Sequence, residues 1–257
     1  MPERRTAVVT GGGRGVGAAV ARGLSASGVA VLVAARTKSE VETLAATLRQ
    51  SGATAHATTC DVTDPASIER LAVTAQDKFG QVDILINNAG AALSAAVHKT
   101  SLEEWNRMLA INATGAFLCL KAFLPGMLDR GWGRIVNVAS TAGLMADRYI
   151  SAYAASKHAL VGLTRAAAAE AAGRGITVNA VCPGYVRTDM TKQTLARIMQ
   201  RTGRSEQEAL QAVLETTPQK RLIEPEEVAD AVVYLCGESA RGINGTALII
   251  DGGGLRR

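Results

Sequence analysis

Tyr153 and Lys157 stand four residues apart in the alanine-rich stretch SAYAASKHAL, and Ser140 precedes them at the end of the apolar run Ile135 to Ala139. The run reads as a buried strand and the stretch as a helix, which puts the phenol and the amine on one helix face. A free phenol titrates near ~10, and an adjacent ammonium favours its ionised form, a way to make the acid usable at neutral pH. Ser140 would supply a hydrogen bond that orients a substrate oxygen. Alone, the triplet reads equally well as three ordinary surface residues at a helix start. The elements that position it break the tie.

Length and composition favour one α/β domain spanning residues 1–257. At 47% hydrophobic content the chain can bury a sizeable core, and with only 4% aromatics that core is built of small aliphatic side chains. The net charge of +5 is mild, and Arg4, Arg5, Arg256 and Arg257 at the ends supply four of the positive charges. No basic run is interleaved with aromatics, which argues against nucleic-acid binding. Cys60, Cys119, Cys182 and Cys236 lie far apart in apolar surroundings and read as reduced, buried thiols. His56, His98 and His158 show no metal-ligand spacing, so no metal is expected. The opening MPERRTAVVTGGG has no hydrophobic signal region, and no apolar run is expected to approach the ~18 residues of a membrane span. The expectation is a soluble cytoplasmic protein without a membrane partner.

In chain order, TAVVT (Thr6 to Thr10) is a β-branched run ending in glycines, and Val16, Val20 and Leu24 follow at helical spacing up to Gly28. The turn TGGGRGVG holds Gly11, Arg14, Gly15, Val16 and Gly17. Glycines let backbone approach a pyrophosphate, and the following helix aims free N–H groups at it. After the second strand, Val29 onward, the place where an NAD enzyme carries an acid holds Ala35 and then Arg36. A guanidinium in place of a carboxylate fits a 2′-phosphate, so NADP(H) is expected over NAD(H), with Arg14 on the phosphate's other side. Both arginines also read as solvated surface charges. Ser39 is expected to cap a helix stopped by Gly52. A third strand ends near Asp61, placed to accept from an adenine amino group, with Val62 against the ring. Asp64 and Pro65 start the next helix, and Ile68, Leu71, Ala72, Ala75 and Phe79 mark its buried stripe. The strand VDILINNAG then runs into Asn87, Asn88, Ala89 and Gly90, which tie strand ends together beside a cofactor ribose or simply make a turn. The alternation predicts a Rossmann-type doubly wound parallel sheet with helices on both faces.

From TGGGRGVG through CDV, NNAG and the Ser140, Tyr153 and Lys157 set to NAVCPGYVRTDM, the chain resembles the short-chain dehydrogenase/reductase family over nearly its whole length. The resemblance implies that Asn112, a polar residue on the apolar face of Trp105, Leu109, Ala116 and Leu120, holds a water beside the lysine; a satisfied core amide is the alternative. It implies that Lys157 binds nicotinamide ribose hydroxyls and lowers the tyrosine pKa. Tyr153 would protonate the carbonyl oxygen as the pro-S hydride arrives at carbon. Pro183 and Gly184 end the sixth strand, and Val186 and Thr188 match positions that hold the nicotinamide carboxamide.

Residues 189–222 fall where the family places a substrate lid. Leu195, Ile198 and Met199, then Leu210, Val213 and Leu214, predict two short helices broken at Gly203. Lys192, Arg197, Arg201 and Arg204 read either as contacts for the phosphates of an acyl-carrier or coenzyme A arm, or as the wet face of a helix. The wording of GRIVNVASTAG and GINGTALIIDGGG resembles β-ketoacyl reductases and polyketide ketoreductases, which implies a 3-oxoacyl thioester or polyketide ketone as substrate. A secondary alcohol or hydroxyacyl-CoA dehydrogenase remains open, as does a non-catalytic NADP-binding sensor. The helices expected over Glu103 to Leu128 and Ser151 to Ala172 lack a clear wet face. With the strand Thr246 to Asp251 they imply a homodimer or homotetramer.

Overall fold

The β-branched and alanine-rich runs form strands covered on both faces, the setting a parallel sheet needs. The computed structural model describes residues 5–255, so Arg4, Arg256 and Arg257 lie outside the described residues. The strands are β1 (Thr6–Thr10), β2 (Ala30–Ala35), β3 (Ala55–Thr59), β4 (Ile84–Asn87), β5 (Gly133–Val138), β6 (Ile176–Pro183) and β7 (Ala247–Ile250). They lie in the order β3-β2-β1-β4-β5-β6-β7, with all neighbours parallel. The order reverses direction between β1 and β4. That switch point opens a crevice at the carboxyl ends of the strands, where ligands bind in doubly wound folds.

Helices α1 (Gly15–Ala26), α2 (Lys38–Gln50) and α9 (Pro225–Cys236) cover one face. On the other lie α3 (Pro65–Phe79), α4 (Leu102–Leu109), α5 (Gly115–Arg130) and α6 (Ser151–Ala171). Asp64 caps α3, its carboxylate accepting from the Ala66 amide at 3.0 Å, with Pro65 as first helical residue. The cap expected at Ser39 is displaced: Thr37 is the N-cap of α2, and Ser39 already lies within the helix. Neither side chain bonds the helix end, so nothing local fixes that boundary.

The expected single helix from Glu103 to Leu128 is two helices joined by a π turn over Ala110–Thr114. The wider turn rotates the α4 stripe relative to α5. Met108 therefore takes the buried place, and Trp105, expected on the apolar face, is 37% exposed. This segment also corrects the expectation about apolar runs. Among the described residues Leu102–Arg130 is long and apolar enough to cross a membrane by length and composition, with a mean hydropathy of 1.5. One face of it packs on the core, with Cys119, Leu120, Phe123 and Met127 in the cluster beneath the sheet, and 39% of its apolar stretch is buried.

Helices α7 (Asp189–Thr202) and α8 (Glu206–Leu214) occupy the expected lid segment, divided at Gly203, whose φ is +72°. They share a small core of their own, Leu195, Ala209, Val213 and Leu222, apart from the clusters flanking the sheet. At the opposite end of the molecule Trp132 lies between two guanidiniums, Arg5 at 3.7 Å and Arg134 at 4.4 Å from the ring centre. Its indole N–H donates to Glu238 at 2.9 Å. All four cysteines are free and buried.

Candidate active site

Strand β1 delivers the chain into the glycine turn. Gly11 and Gly15 have φ of +62° and +53°. A Cβ on Gly17 would stand 2.3 Å from the Gly11 carbonyl oxygen, and one on Gly11 2.8 Å from Ala89 Cα. Only glycine allows this closeness. Asn88 locks the turn to the end of β4, its Nδ2 donating to Thr10 O at 3.0 Å and Gly11 O at 2.9 Å. Helix α1 begins at Gly15 with no side-chain cap and no acid in its first turn, so the N–H groups at its start remain available to an anion. Val16 is half-buried beside Gly17, and Thr188 lies against Gly15, 3.2 Å from where its Cβ would be. This cradle fits a pyrophosphate.

Arg36 is exposed just past β2, and its charge helps hold the Asp61 carboxyl low, after the larger effect of the hydrogen bond from the Thr63 amide. Asp61 Oδ1 accepts from both Thr63 N (2.9 Å) and Thr63 Oγ1 (2.7 Å). Val62 is 8% exposed and packs where Gly115 leaves room, so its side chain belongs to the core. Arg14 is paired with Glu40 at 3.4 Å and Asp189 at 3.8 Å. The sequence reading missed those two acids because they come from separate helices. Pro183 ends β6 and Gly184 lies against Asp251. Val186 is buried, bridged to Ile223.

The proton-handling groups gather where β4, β5 and α6 meet. A Cβ on Gly90 would lie 3.2 Å from Asn112 Oδ1 and 3.6 Å from Lys157 Nζ. Ser140 follows β5, its Oγ accepting from Ala142 N at 3.1 Å. Tyr153 and Lys157 project from α6 as the four-residue spacing predicts. Asn112, 1% exposed, sits in the π turn. Its Nδ2 donates to Ala91 O (3.0 Å) and Ser156 Oγ (2.9 Å), and its Oδ1 accepts from Ala91 N (2.9 Å). Ser156 Oγ in turn donates to Tyr153 O at 2.7 Å. Sequence reasoning overlooked Ser156; its place immediately before Lys157 was the available signal.

One expectation is overturned. Lys157 does not hold the phenol down: burial pushes the Tyr153 hydroxyl up, and the main opposing effect is a hydrogen bond with Ser140. The ammonium is turned elsewhere. Nζ donates to Val138 O at 2.9 Å and stands 6.0 Å from the Tyr153 ring centre. Burial lowers the Lys157 pKa itself to about 8. The phenol thus stays protonated at neutral pH beside an amine that is still mostly charged, an arrangement able to donate one proton and take up another.

The lid cations are largely engaged within the protein. Lys192 pairs with Asp189 at 3.5 Å, Arg197 Nη1 donates to Ala92 O at 3.3 Å and Arg201 Nη2 to Ser94 O at 3.0 Å. Lys192 and Arg201 stay solvent-exposed, as the wet-face reading has it, and Arg197 alone of the three is half-buried against its internal partner.

Residues 5–198 match the short chain dehydrogenase family, and the chain belongs to it. It is 37% identical over 253 residues to a D-beta-hydroxybutyrate dehydrogenase of Rhizobium meliloti, covering 97% of this chain and 98% of that protein. It is 36% identical over 251 residues to a 3-oxoacyl-[acyl-carrier-protein] reductase of Synechocystis, covering 97% and 96%. A crystal structure of a variant actinorhodin polyketide ketoreductase with NADPH superposes with a TM-score of 0.95 at 39% identity, covering 98% of both chains. The protein is an oxidoreductase of the kind that interconverts hydroxyl and keto groups.

Proposed function

We propose that this chain is an NADPH-dependent ketoreductase in which Tyr153 is the general acid. The observation that carries the proposal is the convergence of four groups at the strand ends: Asn112 and Lys157 lie beside Gly90, Lys157 stands 6.0 Å from the Tyr153 ring centre, and Tyr153 is hydrogen-bonded with Ser140. Gly11, Gly15, Val16 and Gly17 would hold the pyrophosphate region, Arg36 the 2′-phosphate with Arg14 on its other side, and Asp61 the adenine side, with Val62 packed into the core behind it. Asn88, Ala89 and Gly90 would line the ribose, with Pro183, Gly184, Val186 and Thr188 at the nicotinamide. When bound, the reduced nicotinamide supplies a hydride to the carbonyl carbon. Ser140 and Tyr153 both direct hydroxyls at the carbonyl oxygen, and the raised phenol pKa keeps the proton in place until negative charge develops there. Lys157, charged below about pH 8, would bind the nicotinamide ribose hydroxyls and take part in returning the proton that the phenol gives up. Asn112 anchors the path by which solvent replaces the proton.

A 3-oxoacyl thioester or polyketide ketone is the proposed substrate. The likeness to the two reductases supports it. So do the exposed apolar side chains Met145, Tyr149, Tyr185 and Met190 on the segments that follow β5 and β6, which suit a long apolar acyl chain. The likeness to the hydroxybutyrate dehydrogenase favours a second reading, a secondary alcohol or 3-hydroxyacyl-CoA dehydrogenase. A cytoplasmic homodimer or homotetramer, with an acyl-carrier or coenzyme A thioester as partner substrate, completes the proposal. Phe117 on α5 and Leu248 on β7, 48% and 37% exposed, support self-association.

Loss of reduced-nicotinamide absorbance over a panel of β-ketoacyl thioesters, cyclic ketones and 3-oxo acids tests this. Faster turnover of the thioesters with NADPH than with NADH is expected, and Arg36→Ala should narrow that preference about tenfold or more. A wild-type protein that uses NADH at least as well and takes only 3-oxo acids would support the dehydrogenase reading instead.

A further inference from the structure

Helices α7 and α8 bury their apolar stripes chiefly on each other, so the pair forms a unit with its own core, attached to the body partly through polar contacts. Arg197 and Arg201, one turn apart on α7, both reach across to the loop after β4, donating to Ala92 O at 3.3 Å and Ser94 O at 3.0 Å. The residue before Ala92 gives both its backbone groups to Asn112: Ala91 N donates to Oδ1 at 2.9 Å, and Ala91 O accepts from Nδ2 at 3.0 Å. The other Asn112 amide hydrogen goes to Ser156 Oγ, which donates to the Tyr153 carbonyl. Asn112 and Ser156 are 1% and 0% exposed, so neither amide nor hydroxyl can exchange these partners for bulk water without local opening. The loop is held at its far side by Ala95 N donating to Tyr149 O at 2.8 Å.

We infer that Arg197 is a positioning residue for the reduction, with Arg201 as its companion. Seating α7 on the Ala92 and Ser94 carbonyls holds the Ala91 peptide where it fixes the Asn112 amide. The position of the helix over the substrate and the orientation of the amide in the proton path therefore change together. Arginine suits the task because its several N–H groups reach a carbonyl from a long, planar head. The inference rests on the reading of Asn112 as part of a reductase's proton path.

The test compares wild type, Arg197→Ala, Arg197→Lys and Arg201→Ala by ketone reduction across pH 6 to 10, NADPH binding by fluorescence, and amide exchange in the peptide spanning 88–96. For Arg197→Ala the expected results are roughly tenfold lower kcat, a displaced kcat–pH profile, unchanged NADPH affinity and faster exchange at Ala91. Arg197→Lys, which keeps one donor, should recover most of the loss; it carries the test alone if the alanine variant does not fold. A rise in KM with kcat, its pH profile and Ala91 exchange all unchanged would overturn the inference, leaving Arg197 as a substrate fastener. If the wild type reduces no carbonyl, the reductase reading fails separately, and Ala91 exchange still decides: protection equal in wild type and Arg197→Ala overturns the link.

Discussion

Replacing Lys157 by methionine should make the protein more stable at neutral pH while removing its activity. Lys157 is 5% exposed and its pKa falls from 10.5 to about 8, chiefly through burial. Because the folded-state value lies below the unfolded one, the charged form is disfavoured by folding. The penalty is fully present below about pH 8 and fades as pH rises toward 10.5. At about 1.36 kcal/mol per pH unit, the gap amounts to roughly 3 kcal/mol at pH 7 and less than about 1 kcal/mol at pH 10. Methionine has a similar unbranched shape but cannot donate to Val138 O, a loss of about 1 kcal/mol. The net expectation is a gain of about 2 kcal/mol at pH 7 that vanishes by pH 10. Urea unfolding at fixed protein concentration, run at both pH values, measures it. A variant less stable than wild type at pH 7, or a gain equal at both pH values, would refute the claim that the site holds a buried charge against its folding preference.

Tyr153→Phe should abolish turnover with NADPH affinity nearly intact, and binding fluorescence beside a rate assay checks this. In the wild type the alkaline fall in kcat should set in near pH 8, following Lys157, since burial moves the phenol's own ionisation above its ordinary value; a limb that begins only above pH 10 would reassign it. Gly17→Ala forces a Cβ to within 2.3 Å of Gly11 O and 2.4 Å of Asn88 Nδ2. It should cost about 1–3 kcal/mol and abolish cofactor binding, read by urea midpoint and by fluorescence. Thr164→Val removes the acceptor for Asn137 Nδ2 (2.8 Å), whose Oδ1 in turn accepts from Asn87 Nδ2 (2.8 Å). Leaving that buried amide unpaired should cost about 1–3 kcal/mol with little change in KM, seen as a lower urea midpoint.

Much of this architecture was legible in the chain. The glycine turn, the strand ends at Asn87 and Gly90, the helix bearing Tyr153 and Lys157 and the break at Gly203 each carry a local signal: a residue type that one backbone shape or one periodicity demands. Less legible were features set by partners far away in sequence. The π turn at Ala110–Thr114 coincides with Asn112 reaching the Ala91 backbone 21 residues upstream, and no hydrophobic period announces it. The pairing of Arg14 with Glu40 and Asp189 needs three elements to meet. The reversed pKa effect at Tyr153 is of the same kind. Spacing put the ammonium one turn away, but only the fold aims it at Val138 O and surrounds the phenol with protein.

The sequence contains two tryptophans, and they occupy opposite environments: Trp105 is partly open to solvent, while Trp132 is stacked between Arg5 and Arg134 at the far end of the sheet. Their emission is therefore a built-in pair of reporters, a solvated indole on α4 and a cation-flanked one just before β5. Single Trp→Phe replacements would separate the two signals, so that loosening of α4 and collapse of the sheet's floor could be timed independently in one cuvette.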